Sequence, residues 1–162
     1  MIIYFGADHG GFELKEKLKD FLRGRGYEVA DVGNVRYEED DDYPDFAAEV
    51  ARRVSVDVEN SRGIVICKSG VGVSIVANKF PKIRAGLVMT PDQAFDARSD
   101  DDINMLALGA QYLDDVTAQK IVTTWLGTPF RREPRFLRRI DKIDIVEKEA
   151  ADATMREETG RF

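Results

Sequence analysis

The stretch "IVICKSGVGVSI", residues 64–75, decides the fold. A run of apolar residues ends at Cys67, the only cysteine of the chain, and a turn that contains Gly70 and Gly72 then leads into a helical pattern. Short β-branched runs bounded by glycine are typical of buried strands. A buried strand that passes through a short turn into a helix is the repeating unit of α/β proteins, so we expect a parallel sheet.

The same alternation of strand and helix extends along the chain on both sides of this stretch. Strands are predicted at residues 2–7, 27–33, 62–67, 83–89 and 103–109. Helices are predicted at residues 11–26, 43–55, 72–80, 91–101 and 114–127, and a further helical pattern runs through Ile140, Ile143 and Val146. Nearly continuous apolar strands require helices on both faces of the sheet. We therefore predict an α/β fold, a doubly wound five-stranded parallel sheet followed by a C-terminal helix.

Composition excludes several classes of protein. With 162 residues the chain is about one domain long, and no apolar run approaches the ~20 residues that cross a bilayer. The first residues lack a basic segment followed by a long apolar one, so we expect no secretory signal and no membrane partner. The net charge of −6 argues against a nucleic-acid partner, because phosphate backbones require a basic surface.

Cysteine and histidine are too rare for a disulfide or a zinc site. One cysteine cannot form an internal disulfide, and His9 is the only histidine. A Cys/His metal site needs several such ligands, so we expect none. A single unpaired thiol and the lack of a signal favour a reducing cytoplasm.

Functional residues are expected where the strands end, because ligands bind beyond the carboxyl ends of strands in doubly wound sheets. The first strand ends in "GADHGG", residues 6–11, which places Asp8 and His9 on a turn whose glycines allow a ligand to approach the backbone. A carboxylate beside an imidazole suggests proton transfer and anion binding. The alternative is that Asp8 caps the next helix and His9 is merely exposed.

The third strand ends at Cys67, followed by a glycine turn and the start of a helix. Amides in such a turn bind an anion or a developing oxyanion, and the positive end of the helix stabilises a thiolate. Cys67 is thus a candidate base or nucleophile. The alternative is a buried cysteine that acts only as a small apolar residue.

Two other kinds of site at a strand end are disfavoured. A cysteine phosphatase needs an arginine six positions after the cysteine, where this chain has Val73. A dinucleotide-binding turn reads G-x-G-x-x-G, whereas the first turn here reads "GADHGG". Cys67 therefore fits a general base beside an oxyanion site better than a phosphoryl acceptor.

Charge is distributed unevenly along the chain. Residues 38–42 read "EEDDD", whereas "RREPRFLRR" at 131–139 holds five arginines. Arg135 and Arg139 are four residues apart, so one helical face can direct both guanidinium groups at one anion. The alternative is a solvated basic face without a specific ligand.

Several motifs together carry a resemblance to a known family. They are "FGADHGGFELKEKL", "DVG", "DYPDFA", "GIVICKSGVGVSIVANKFPKIRAGL", "NMLALG" and "WLGTPF". Across residues 1–143 the chain resembles the sugar-phosphate isomerases of the ribose-5-phosphate isomerase B and galactose-6-phosphate isomerase family. The resemblance implies a Rossmann-like domain at 1–143. It also implies aldose–ketose isomerisation of a small-molecule sugar phosphate through a cis-enediolate, with no metal or other cofactor, in a homodimer or tetramer whose active site lies at the subunit interface. Beyond the matched part, Ile145, Val146, Ala150 and Ala153 form a modest apolar stripe, from which we expect a C-terminal helical extension at 144–162.

The resemblance also suggests a role for each matching residue. Cys67 corresponds to the base that moves a proton between C2 and C1, Ser69 to a hydroxyl that assists ring opening, and Asp8 to the group that shuttles hydroxyl protons. His9, Arg135 and Arg139 correspond to phosphate contacts. Backbone amides for the enediolate oxygen would come from Gly70, Val71, Gly72, Val73 and Ser74.

Five positions depart from the family pattern. Asp100 stands in place of a histidine that opens the furanose ring, and Asp101 replaces an asparagine that contacts the sugar. Asp100 could still donate a proton to the ring oxygen, but only in its protonated form. Gln111 replaces an arginine, Phe136 a histidine and Lys68 a common glycine.

Three functional hypotheses remain open. The first is an isomerase that keeps the Cys67 chemistry but accepts a different sugar. The second is one subunit of a hetero-oligomeric isomerase, in which a related chain supplies the missing groups. The third is a sugar-phosphate binding protein without catalysis, which would not need a reactive thiol. The apolar residues of the C-terminal helix are expected to pack on the same or a neighbouring subunit.

Overall fold

The computed structural model describes residues 1–159, with side chains through Arg156, and confirms the predicted α/β class. Five strands alternate with helices along the whole chain, and a short 3-10 turn at Ala110–Tyr112 follows the last strand. The strands are β1 (Ile2–Ala7), β2 (Glu28–Asp31), β3 (Ser61–Cys67), β4 (Ala85–Leu87) and β5 (Met105–Gly109). The helices are α1 (Phe12–Arg23), α2 (Tyr43–Val56), α3 (Val71–Ala77), α4 (Pro91–Asp101), α5 (Asp115–Gly127) and α6 (Pro134–Thr159).

The strands form one parallel sheet in the order β2-β1-β3-β5-β4. From β1 the chain moves to one side of the sheet, whereas from β3 it moves to the other. The strand order therefore reverses between β1 and β3, which pair up to their carboxyl ends, with Ala7 opposite Ile66. This reversal is where α/β sheets of this kind bind ligands.

Helices cover both faces of the sheet. One apolar layer joins the sheet to α1, α4 and α5, and the other joins it to α2 and α3. Side chains alternate between these layers along β3, so Ile64 and Ile66 belong to the first while Val65 and Cys67 belong to the second. The thiol of Cys67 therefore lies on the side of α2 and α3.

The predicted element boundaries differ from the structure mainly in the edge strands. The strands predicted at 27–33 and 83–89 shorten to Glu28–Asp31 and Ala85–Leu87. Both are edge strands that pair on one side only, so their ends lack a second neighbour to hold them in a ladder. By contrast, the helix predicted at 91–101 has the same bounds in α4.

The C-terminal helix is longer than the sequence pattern required. α6 continues without a break from Pro134 to Thr159, so the expected boundary at residue 143 lies inside one helix. Residues 160–162 of the expected extension lie outside the described residues. Phe136 is almost fully buried near the start of α6, whereas Ile143, Ile145 and Val146 are exposed. Within residues 1–159, no helix is long and apolar enough to cross a membrane.

Candidate functional site

Cys67 lies at the floor of a turn that only glycine can form. The thiol is 4% exposed, and its Sγ atom accepts a hydrogen bond from the Gly70 amide at 3.1 Å. Gly70 has a φ of 77°, and a Cβ there would lie 2.5 Å from Leu87 and 2.9 Å from the Gly109 amide nitrogen. The turn therefore folds tightly over the ends of β4 and β5. The Gly70 amide is therefore directed at the Cys67 sulfur.

The first turn of α3 provides the backbone donors next to this sulfur. The Val71 amide donates to the Ser69 hydroxyl oxygen at 3.3 Å, and the Ser74 amide donates to the Gly70 carbonyl at 3.2 Å. The first amides of a helix have no acceptor within it. Of the five amides expected to contact an enediolate oxygen, those of Gly72 and Val73 are therefore the best placed to do so.

Asp8 and Cys67, at the carboxyl ends of neighbouring strands, line the same cavity. The cavity has a volume of about 390 Å³, and Ser69, Val71 and Gly72 also line it. The Asp8 carboxylate is 6% exposed, and burial raises its pKa above the usual value. Asp8 also accepts a hydrogen bond from the Gly11 amide at 3.1 Å, so it caps the turn before α1 while it faces the cavity.

Tyr43 is a residue of this cavity that sequence reasoning left unassigned. Its ring packs so closely on the start of α3 that a Cβ at Gly72 would lie 2.5 Å from the ring. Tyr43 begins α2, which runs beside the Cys67 side of the sheet. The family motif "DYPDFA" contains this tyrosine, but the sequence analysis assigned it no role.

His9 is held by a carboxylate from the acidic run. Asp41 lies 2.8 Å from the His9 ring Nδ1 and accepts the His9 backbone amide at 2.7 Å. The hydrogen bond to Asp41 raises the pKa of His9 above its usual value. Asn34 donates to the other oxygen of Asp41 and so fixes the carboxylate. No local pattern indicates this pair, because its members are 32 positions apart in the chain.

A second cavity, of about 460 Å³, lies beside the first and contains His9, Lys68 and Gln111. Lys68 lines both cavities, so it lies between the Cys67 end and the His9 end of the site. Lys17 also lines the second cavity but pairs with Asp115 at 2.9 Å. Among the described residues, no carboxylate pairs with Lys68.

The remaining predicted site residues lie elsewhere in the chain, at the end of α4 and the start of α6. Asp100 accepts a hydrogen bond from the Ser99 hydroxyl at 2.8 Å and lies 3.5 Å from the Arg131 guanidinium. The guanidinium groups of Arg135 and Arg139 lie over the Phe136 ring, 4.5 and 5.6 Å from its centre.

Within one chain, the predicted residues therefore form two separate groups. Asp8, His9, Cys67 and the following turn are together at the carboxyl edge of the sheet. Residues lining the two cavities there do not include Asp100, Asp101, Arg135 or Arg139. In the part of the chain that the structure describes, no group of three or more His, Cys, Asp and Glu side chains is arranged to hold a metal ion.

Comparisons with known proteins identify a single family. Residues 3–143 match the model of the Ribose/Galactose Isomerase family. Ribose-5-phosphate isomerase B of Escherichia coli K12 is 40% identical over 90% of this chain and 96% of its own length. These matches confirm the resemblance expected from the motifs.

Solved structures agree with this assignment. A crystal structure of ribose-5-phosphate isomerase B from Mycoplasma genitalium with bound ribulose-5-phosphate aligns with a TM-score of 0.88 at 38% identity, covering 91% of this chain and 97% of that one. A ribose-5-phosphate isomerase B from Clostridium thermocellum aligns with a TM-score of 0.88 at 44% identity, covering 93% and 99%.

Proposed function

The chain belongs to the Ribose/Galactose Isomerase family, and from this membership we propose that it interconverts ribose 5-phosphate and ribulose 5-phosphate, with Cys67 as the base. The reaction class is aldose–ketose isomerisation of a sugar phosphate, an intramolecular oxidation and reduction. The observation that carries the assignment of Cys67 is that its thiol and the Asp8 carboxylate line one cavity at the strand reversal.

The chemistry is a transfer of protons around two carbons. The Cys67 thiolate takes the proton from C2, and the electrons of that bond form the C1–C2 double bond of an enediolate. Amides of Gly72 and Val73 stabilise the oxygen that gains charge. The Cys67 thiol then returns the proton to C1, while Asp8 moves the hydroxyl proton between O2 and O1. The raised pKa of Asp8 supports this role, because it brings the carboxyl closer to the pH at which it must accept and donate.

The phosphate end of the substrate occupies the second cavity. His9 and Lys68 line that cavity, and a hydrogen bond to Asp41 favours the charged imidazolium form of His9. Lys68 adds an unpaired cation between the two cavities. It can supply part of the attraction that an arginine at position 111 provides in the family pattern.

The second group of site residues reaches the substrate from a neighbouring subunit. Asp100, Asp101, Arg135 and Arg139 do not line the Cys67 cavity of their own chain, which supports a homo-oligomer with its active site between subunits. Arg135 and Arg139 would then complete the phosphate site, and Asp100 would face the sugar ring. We place the protein in the cytoplasm, where its single thiol stays reduced.

Proton exchange at C2 tests this function. The protein is incubated in D2O with ribose 5-phosphate, allose 6-phosphate or galactose 6-phosphate, and each sugar is followed by NMR. Cys67→Ala should abolish both turnover and deuterium uptake while it preserves the fold. Ser55→Ala, which removes one oxygen from the surface of α2, should leave both unchanged.

The outcomes separate a self-sufficient isomerase from the other two hypotheses. Exchange that depends on Cys67 supports the isomerase and identifies its sugar among those tested. Exchange that Cys67→Ala leaves within a few-fold of normal removes Cys67 from the mechanism. No exchange with any sugar by the isolated chain argues against a self-sufficient isomerase and in favour of a subunit that needs a different partner, or of a binding protein.

A further inference from the structure

Four arginines line a cavity at the edge of the sheet opposite Cys67. The cavity has a volume of about 270 Å³, and its arginines are Arg62, Arg84, Arg98 and Arg132. We propose that this arginine cavity binds the phosphate group of a small molecule, as a second anion site independent of the isomerase site.

The position of the arginine cavity separates it from the isomerase site. Arg62 is the second residue of β3, and Arg84 directly precedes β4. Both therefore lie at the amino ends of parallel strands, whereas Cys67 ends β3. The five residue steps from Arg62 to Cys67 along β3 correspond to roughly 16 Å. Residues lining the arginine cavity are absent from the two cavities that contain Cys67 and His9. They also do not include the four residues proposed to reach a neighbouring subunit, Asp100, Asp101, Arg135 and Arg139.

Few carboxylates balance these arginines. Arg84 and Arg98 share one carboxylate, that of Asp102, which Arg84 contacts at 2.8 Å. Arg62 donates instead to the carbonyl oxygens of Val58 and Ser61, both at 2.7 Å. Carbonyl groups accept a hydrogen bond but cannot neutralise the charge.

The acids around the arginine cavity leave it with excess positive charge. Among the residues whose side chains the structure describes, Glu59 is the only other acid that lines it, so four arginines face two carboxylates there. Asp144 and Glu147 of α6 also attract Arg84, but neither lines the cavity. The Glu147 carboxylate already accepts the Lys82 amide at 2.9 Å.

Burial makes this excess charge costly without a ligand. Arg98 is largely buried, and burial together with the nearby charges of Arg62 and Arg84 lowers its pKa to about 10. Like charges that are held close together in a partly dry site repel one another more strongly than in water. An anion with two negative charges would offset that repulsion, so the arrangement favours an occupied cavity.

The chemistry of the lining favours phosphate over a simple carboxylate. Guanidinium groups present paired donors that match the oxygens of phosphate. Three of them converge from different elements, β3, the start of β4 and α4, so they can contact one group from several directions. Val58, Pro129 and Phe130 add an apolar wall, which leaves room for a small organic part.

Calorimetric titration of the full-length protein with pyrophosphate, and separately with inorganic phosphate, tests the proposal. Arg62→Met/Arg132→Met removes two cavity charges without touching the Asp102 contacts, and we expect pyrophosphate binding at this site to weaken at least tenfold. Arg23→Met/Arg25→Met, which removes the same charge from the end of α1, should bind as the unmodified protein does. Arg62→Lys/Arg132→Lys should retain most of the binding, which separates loss of charge from damage to the fold.

Binding in the isomerase site is distinguished by a third variant. Lys68→Met should leave the binding of pyrophosphate to the arginine cavity unchanged, because Lys68 lies at the carboxyl edge of the sheet. If all pyrophosphate binding is lost in Lys68→Met, or if Arg62→Met/Arg132→Met binds pyrophosphate like the unmodified chain, the proposal is wrong. Because the experiment measures binding alone, its result tests the arginine cavity independently of isomerase activity.

Discussion

The pairing of His9 with Asp41 shows how one carboxylate can set the charge of a distant side chain. Asp41 contacts both the ring and the backbone amide of His9, and Asn34 holds Asp41 from the other side. A histidine whose pKa is raised by such a partner keeps its proton to higher pH. Asp41 is thus a positioning residue for the proposed phosphate contact.

Replacing Asp41 should therefore lower the pKa of His9. His9 is the only histidine, so its ring protons give a single NMR titration curve that needs no further assignment. In Asp41→Asn we expect this curve to move to lower pH. The KM for ribose 5-phosphate should then begin to rise at a lower pH than in the unmodified protein, because the imidazolium is lost earlier. Asp40→Asn, a neighbour in the same acidic run, serves as the control, and an equal shift in both variants would contradict the specific role of Asp41.

Lys68 should matter for binding more than for turnover. Its charge faces the proposed phosphate cavity, while the proton transfers occur at Cys67 and Asp8. We expect Lys68→Met to raise KM about tenfold, which corresponds to about 1.4 kcal/mol, with little change in kcat. Lys68→Arg should retain most of the affinity, and Gln111→Arg should restore part of it in Lys68→Met. Steady-state kinetics measure both constants, and Lys79→Met serves as the surface control. An unchanged KM in Lys68→Met would contradict the proposed role of Lys68.

At the scale of elements, the turn between β3 and α3 holds the site together. Its backbone folds over the ends of β4 and β5, and a side chain at Gly70 would meet both Leu87 and the Gly109 amide. The same turn directs the Gly70 amide at the Cys67 sulfur. The geometry of the turn and the hydrogen bond to the Cys67 thiol therefore both depend on Gly70.

Gly70→Ala should destabilise the protein. The positive φ costs about 1–2 kcal/mol for a residue with a Cβ, and the close contacts add to that. We expect the free energy of unfolding in urea to fall by about 2 kcal/mol or more. Gly127→Ala is the matched control, because no atom lies within 4 Å of a Cβ there. Equal stability of the two variants would show that the turn tolerates a side chain.

Elements could be predicted from the sequence where local pattern determines them. Apolar runs at β1, β3 and β5 lie in the middle of the sheet, and their bounds changed by at most two residues. Edge strands β2 and β4 were predicted too long, because an apolar run does not show how many of its residues pair with the neighbouring strand. The sequence indicated α6 only in pieces, as a helical face that carries Arg135 and Arg139 and as a separate extension at 144–162, whereas the structure has one helix over Pro134–Thr159.

At the scale of the whole molecule, the site could be predicted only in part. The fold class predicts Cys67 and Asp8 at the carboxyl edge of the sheet, and the pairing of β1 with β3 then brings the two residues together. The Asp41–His9 pair depends on the path of a loop, which no periodic pattern encodes. The absence of Arg135 from the cavity that contains His9 likewise depends on tertiary arrangement, which the matched motifs do not encode.

The second half of α6 should contribute to assembly or stability. Ile143, Val146 and Ala150 line a broad groove with Phe80 and Ile83, of about 680 Å³. Deleting residues 148–162 removes one wall of this groove, so we expect a lower melting temperature or a smaller oligomer. Calorimetry and light scattering would measure the two effects, and a truncated chain that matched the full one in both would contradict a packing role for this segment.

The enclosed position of Cys67 has a practical consequence for inhibitor chemistry. A sulfur that is 4% exposed, beneath a cavity lined by Tyr43 and Lys68, is poorly accessible to bulky maleimides and to glutathione disulfide. A slim electrophile carried on a phosphate-bearing scaffold would instead be guided to it by the neighbouring lysine and histidine. The same shielding should let the protein tolerate oxidative stress that inactivates enzymes with exposed thiols. A covalent inhibitor would therefore need to resemble the substrate, because the reactivity of its electrophile alone would not bring it to Cys67.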